Sequence, residues 1–438
     1  MSEPYTQWGF SQPPFQTSPL PSTPTGEKLL LGRSKEIDSL IYAIQDYPKL
    51  PTIEGPSGLG KTSLFNVALH VLYQRHNAGK EKALYLPCEK LQFRFEEKTN
   101  DFIHRVFFAV AQTLIRRKSD LLKGTARVSS ALERWLNSPE ISSPTFGLSI
   151  NGIGGDGSLG RAQNTSTGFA ESGFRFAIER VLEELFPPEQ GGGIVCLIDN
   201  LELLRHSERA KSMLEELRDD LFGVKGLRFA LCGSQNIVRG VASSTRMSGY
   251  LHRPVMVGKL EVDTVTEIFM SRVRAYAQPC KHGYLPLNSE GFVYLHNILQ
   301  GNLRDTLAEA ANYCSDMNRR NIHPKSDGEK HSRIVDWVSQ TALENWLLIR
   351  DEVKVSGLMP WIKHAMSAGE FSTRDKAKLG WPNQEHFEFA TDLMVQLEVL
   401  TRVIDPLDER RQVFQPTPKG CFIDFHLLDE DAIYRDEL

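Results

Sequence analysis

Gly55, Pro56, Ser57, Gly58, Leu59, Gly60, Lys61 and Thr62 follow one another at the spacing GxxxxGK(S/T), with Ser63 next in line. Glycines let a backbone wrap closely and aim its N–H groups inward, and the start of a following helix adds partial positive charge. That is the chemistry of a triphosphate cradle. Lys61 can reach the β- and γ-phosphates as a mobile point charge, and the Thr62 hydroxyl can ligate Mg2+. A carboxylate must complete such a site. Asp199 follows the apolar residues Ile194 to Ile198, so it should emerge at the carboxyl edge of a sheet and join Thr62 in holding the metal. The next residue is Asn200, whose amide cannot act as a base. Either Glu202 takes that role or hydrolysis is slow or partner-dependent. Ser234, with Asn236 as second choice, ends the run LRFALCGS and could bond the γ-phosphate or the lytic water.

The elements that must position these groups are legible as alternation. A helix begins near Ser34, where Ile37, Leu40, Ile41 and Ile44 recur at helical spacing. LPTIEG, ALYLPC, GIVCLID and LRFALCGS read as strands, and Thr62 to about Gln74 and FIHRVFFAVAQTLI as helices. The pattern predicts an α/β fold: a parallel sheet with helices on both faces. Residues 139–173, rich in Gly and Ser, break it; they read either as a flexible surface loop or as a β-hairpin, with TFGLSI as a strand. Residues 1–28 lack periodicity yet carry Tyr5, Trp8, Phe10 and Phe15, aromatics expected to dock on the body rather than stay loose.

The 438 residues carry 51 Lys+Arg against 55 Asp+Glu, a net charge of −4 that excludes a generally basic nucleic-acid coat and leaves a local patch open. The six cysteines form no CxxC pair and are expected to be reduced and buried. No apolar run is long enough to span a membrane, and the start MSEPYTQ has no export signal, so a cytoplasmic protein is expected.

Taken in order, these landmarks resemble an AAA+ ATPase of the origin-recognition-initiator type, bordering on the STAND signalling ATPases. The resemblance rests on WGF, PPF and PL before LLLGRSKEIDSL, on GPSGLGKT and IVCLIDN, and on GNLRDTL at residues 301–307. It implies that Gly32 and Arg33 lie near the adenine base. It implies that Arg304 is the lid arginine that contacts the γ-phosphate and ties lid angle to nucleotide state. An arginine acting across a subunit interface would be Arg246 or Arg253. If one works that way, the active species is a nucleotide-dependent homo-oligomer.

The C-terminal region resembles a winged helix: FSTRDKAKLGW for a short helix from near Thr373, NQEHFEFATDLMVQLEVL for the next, then strand, turn and strand. In many such modules the second helix reads DNA. Here it carries Glu385, Glu388, Asp392 and Glu398 without a Lys or Arg from Asn383 to Val399, and only Arg410 and Arg411 at the wing offset them. Residues 351–438 hold 17 acidic against 10 basic side chains, which favours a protein partner there. The expected organisation is an N-terminal segment over 1–28, an ATPase core over 29–258 with the 139–173 insertion, a helical lid over 259–322, a linker over 323–333 and the winged helix over 334–438. Two functions fit: an ATP-dependent switch that assembles on DNA and recruits or loads a partner protein, or a STAND-like signalling or defence ATPase that binds a protein partner without DNA. A small-molecule kinase would have no use for the lid motif and the appended module.

Overall fold

A computed structural model describes residues 3–94, 97–117, 120–121, 140–143, 160–163, 174–199, 201, 207–233, 246–247, 249–279, 283–377, 380–404 and 412–436. Its first part runs α1 (Glu3–Gln7), α2 (Pro24–Leu29), α3 (Ser34–Gln45), β1 (Thr52–Glu54), α4 (Lys61–Asn77), β2 (Tyr85–Pro87), β3 (Leu91–Gln92), α5 (Thr99–Arg116), β4 (Glu140–Ser143), β5 (Gly160–Gln163), α6 (Phe174–Leu185), β6 (Gly193–Asp199), α7 (Ser207–Asp220), β7 (Leu227–Gly233) and β8 (Val255–Met256). The short apolar runs form one parallel sheet in the order β2-β6-β7-β1-β8, with β3 also pairing with β6. All of β6 is buried. Alternation along that strand explains why. Ile194, Cys196 and Ile198 pack with Phe102, Val106 and Phe107 of α5, whereas Val195 and Leu197 pack with Phe65, Ala68 and Leu69 of α4. Each large apolar side chain so covered contributes about 1.5–3 kcal/mol.

The parallel strands bring Gly55 and Asp199 out at the same edge. They are not adjacent strands: β7 lies between β1 and β6. In the Gly/Ser-rich stretch the described residues contain an antiparallel pair, Glu140 opposite Gln163 and Ser143 opposite Gly160. The run TFGLSI, read as a strand, lies outside the described residues.

The second part comprises α8 (Val262–Tyr276), α9 (Ser289–Ile298), α10 (Leu303–Arg319) and α11 (Asp327–Ser356). Its core includes Phe269, Phe292, Leu295, Leu307 and Tyr313, and the N-terminal aromatics Tyr5, Trp8, Phe10 and Phe15 belong to it. Phe15 stacks on Phe269 and Phe292 at 6.0 and 5.8 Å between ring centroids. Backbone bonds fix the strap in place: Ser11 N donates to Tyr276 O and Tyr284 N donates to Trp8 O, each at 2.8 Å.

Helix α11 starts inside the stretch read as a polar linker. Its polarity conceals a helix start: Ser326 Oγ accepts from Glu329 N at 3.2 Å, and Glu329 accepts from Lys325 N at 2.8 Å. The first half of α11 packs Ile334, Trp337 and Val338 into the lid core, and the second half packs Trp346, Ile349 and Val353 into the next. That last core is built from α12 (Met359–Ala368), β9 (Phe371–Ser372), a helical turn at Thr373–Asp375, α13 (Gln384–Gln396), β10 (Leu400–Ile404), β11 (Gln412–Pro416) and α14 (Pro418–Asp436). The strands pair antiparallel in the order β10-β11-β9. Arg410 and Arg411 lie outside the described residues. Helix α14 also serves two cores, giving Cys421 and Phe422 to the one around Phe292 and Tyr313 and Ile423 and Leu427 to the last.

Cys88, Cys196, Cys232, Cys314 and Cys421 are buried and not disulfide-bonded. No helix among the described residues is long and apolar enough to cross a membrane.

Candidate nucleotide-binding site

The phosphate loop is shaped by three glycines doing different jobs. Gly55 has no room for a side chain, since a Cβ there would lie 2.3 Å from Val257 O. Gly58 and Gly60 adopt φ of +81° and +89°, the left-handed region that glycine enters without strain. Gly60 is the N-cap of α4, so the first amides of that helix open onto the loop. Lys61 Nζ lies over the loop and donates to Gly55 O at 2.8 Å and Pro56 O at 3.0 Å.

Thr62 Oγ1 donates to Asp199 Oδ2 at 2.8 Å, so the two residues expected at a metal are in contact. Asp199 is buried, and Lys90 Nζ stands 3.3 Å from the same carboxylate oxygen. Lys90 was not foreseeable from a motif. It is placed by register: β3 pairs with β6 at Leu91 opposite Ile198 and Gln92 opposite Asp199. The donor set suits Mg2+. Among the described residues no group of three His, Cys, Asp or Glu could hold a metal unaided, whereas one hydroxyl, one carboxylate, phosphate oxygens and water are the ligands Mg2+ takes at a nucleotide.

From the other side the lid reaches the loop. Asn302 caps α10, its Oδ1 accepting from Arg304 N at 3.1 Å and Asp305 N at 3.3 Å. The amide fits against Gly58, where a Cβ would come within 2.1 Å of Asn302 Oδ1. Arg304 N also donates to Gly58 O at 3.3 Å, and its guanidinium is 3.5 Å from Ser57 Oγ. The GNLRD run thus contributes a capping asparagine as well as an arginine, a role that Asn302 ahead of a helical run could have signalled.

Between loop and lid is a cavity of about 280 Å³, lined by Ser57–Ser63, Lys90, Asp199, Arg304 and, on the far side, Gln16–Leu20, Arg33 and Arg272. The strap forms a wall there: Leu20 N donates to Ser63 Oγ at 3.0 Å, and Asn66 Nδ2 donates to Leu20 O at 2.8 Å. The Ser63 hydroxyl, expected at the phosphates, is therefore engaged with the strap. Buried Arg272 holds Pro14 O at 3.1 Å and Gln16 O at 3.2 Å, and burial lowers its pKa. Arg33 is buried and bonds Glu36 Oε1 at 3.0 Å and Gly258 O. Gly32, at φ +69°, lets α8 approach, since a Cβ would meet Thr264 Cγ2 at 2.6 Å.

Arg246 is apart from these groups. It pairs with Glu215 at 3.7 Å and does not line the cavity. Asn200, Glu202, Ser234 and Asn236 lie outside the described residues.

No protein-family model matches the sequence, and no curated protein does. Among solved structures, the chain is similar to the ORC2 protein of Aeropyrum pernix in ADPNP–ADP complexes at 9% identity, covering 96% of this chain and 98% of that one with a TM-score of 0.44. The ORC1 protein of the same organism in complex with DNA gives 13% identity, coverage of 94% and 98%, and a TM-score of 0.42. A Walker-type ATPase of Pyrococcus abyssi gives 12%, 94% and 99%, and 0.42.

Proposed function

We propose that the protein is an ATP-dependent molecular switch with slow or partner-dependent ATPase activity. The observation that carries this reading is the meeting of three parts at one point: the phosphate loop, the Thr62–Asp199 pair and the first turn of a separate helical lid at Asn302 and Arg304. In the proposed cycle Lys61 leaves the carbonyls of Gly55 and Pro56 for the phosphates, to which the loop amides also point. Thr62 and Asp199 would hold Mg2+, whose chemistry is to neutralise the developing phosphate charge. Arg304 turns from Ser57 to the γ-phosphate and draws the lid onto the core, and loss of that phosphate removes its anionic partner. With Asn200 after Asp199, the chain supplies no base at that position, so turnover is slow unless Glu202 serves or a partner completes the site. Arg246, exposed and outside its own cavity, suits action on a neighbouring copy in a nucleotide-dependent homo-oligomer.

In the first form of this reading the switch assembles on DNA and recruits or loads a protein. The test is duplex DNA affinity with and without ATP at two salt concentrations. ATP-stimulated, strongly salt-dependent binding is expected; no binding at low salt refutes this form. One observation favours the second form, a signalling ATPase that takes a protein partner. The solvent face of α13 presents Glu385, Glu388, Phe389 and Asp392, and Asp392 is paired with Arg402 of β10. An acidic face with an exposed phenylalanine suits a protein surface and opposes a polyanion. In that form DNA leaves ATP turnover unchanged.

A further inference from the structure

We infer that Lys90 is a built-in counter-cation at the metal position: it keeps Asp199 compensated when no divalent ion is present and so lets the site accept ATP without metal. The inference rests on the nucleotide reading above and adds a regulating residue to that site. A carboxylate as buried as Asp199 is costly without a compensating charge or donors. Its Oδ2 receives the Thr62 hydroxyl at 2.8 Å and faces the Lys90 ammonium at 3.3 Å. The Lys61 ammonium is engaged with the carbonyls of Gly55 and Pro56.

Two features make Lys90 a displaceable cation rather than a fixed one. Its side chain is 38% exposed and lines the cavity, so its stem can swing without unpacking the core. It directly precedes the short strand β3, whose pairing with β6 sets it beside Asp199. A Mg2+ ion ligated by Thr62 and Asp199 would lie against this ammonium, and two cations cannot share one oxygen at close range without strong repulsion. Lys90 would therefore leave Asp199 when Thr62 and this carboxylate take the metal. Lys90 thus offsets Asp199 before the metal binds and has no required partner at the site afterwards. ATP affinity should in consequence depend only weakly on Mg2+.

Calorimetric ATP affinity, measured in EDTA and in Mg2+ for the full chain, Lys90→Met and Lys90→Arg, tests this directly. Wild type should bind in both media with dissociation constants within about tenfold of each other. Lys90→Met keeps the apolar stem; it should weaken binding in EDTA by about tenfold or more while binding in Mg2+ stays within about threefold, and Lys90→Arg should restore the wild-type ratio. If Lys90→Met binds ATP with the wild-type EDTA-to-Mg2+ ratio, the counter-cation role is overturned and the nucleotide site stands. If the wild type takes up no ATP in either medium, the nucleotide reading itself falls, and this inference with it.

Discussion

A methyl group on Gly58 should unseat the lid from the phosphate loop. In Gly58→Ala the new Cβ would meet Asn302 Oδ1 at 2.1 Å, so the amide can turn away only by giving up its bonds to Arg304 N and Asp305 N. Loss of such a cap costs about 1 kcal/mol. Alanine held at the φ of +81° found at Gly58 costs about 1–2 kcal/mol more. The sum, about 2–3 kcal/mol against the docked lid, corresponds to a fall of roughly 30- to 150-fold in ATP affinity if binding requires docking. Calorimetric affinities for wild type, Gly58→Ala, Asn302→Gly and the double variant isolate the contact. Asn302→Gly removes the obstructing amide and costs only a few tenths as a cap, ~0.3 kcal/mol. In its background Gly58→Ala should cost only the backbone strain, giving a coupling of about 1 kcal/mol. Hydrogen exchange of the first turn of α10 should rise in Gly58→Ala and in no other part of the lid. Substitutions that add within about 0.4 kcal/mol would refute the claim that Gly58 and Asn302 form the hinge between loop and lid.

Phe15→Ala should destabilise the lid by about 3–5 kcal/mol, because Phe15 stacks on Phe269 and Phe292, and should weaken ATP binding because the same strap reaches Ser63 through Leu20. Lid unfolding followed by hydrogen exchange, with ATP affinity alongside, checks both; unchanged affinity with a loosened lid would detach the strap from the site. A pH dependence should arise at His296. The Thr306 hydroxyl donates to Asn302 O, so the bonded Nδ1 of His296 must carry the proton, and burial with Lys259 nearby lowers its pKa to about 4. Its folded value lies below the unfolded one, so its contribution is complete above pH 6.5 and is lost as pH falls toward 4. About 2 kcal/mol should disappear between pH 7 and pH 5. Chemical denaturation across that range should show the slope, and His296→Gln should flatten it.

How far these groups could be read in advance depends on the range of the interaction that places them. The phosphate loop and Asp199 were legible because glycine spacing and an unbroken apolar strand are local signals. So was the docking of Tyr5, Trp8, Phe10 and Phe15, since such aromatics have no use in a solvated tail. The order of strands was not legible: that β7 separates β1 from β6 is decided by pairing across more than 100 residues. Lys90 was hidden for the same reason, because only the register of β3 on β6 brings it to Asp199. The polar run before α11 misled by composition. Ser326 and Glu329 make a helix start from residues that, counted without their spacing, read as a linker.

The central claim is that a triphosphate is the ligand of the loop ending at Thr62. Calorimetry of the full chain with ATP and Mg2+, beside Lys61→Ala, tests it. One site per chain is predicted for wild type, with affinity reduced by about a hundredfold or more in the variant, whose loop and fold remain but whose mobile cation is gone. Equal affinity in the two proteins, or no heat of binding from folded wild type, would contradict it.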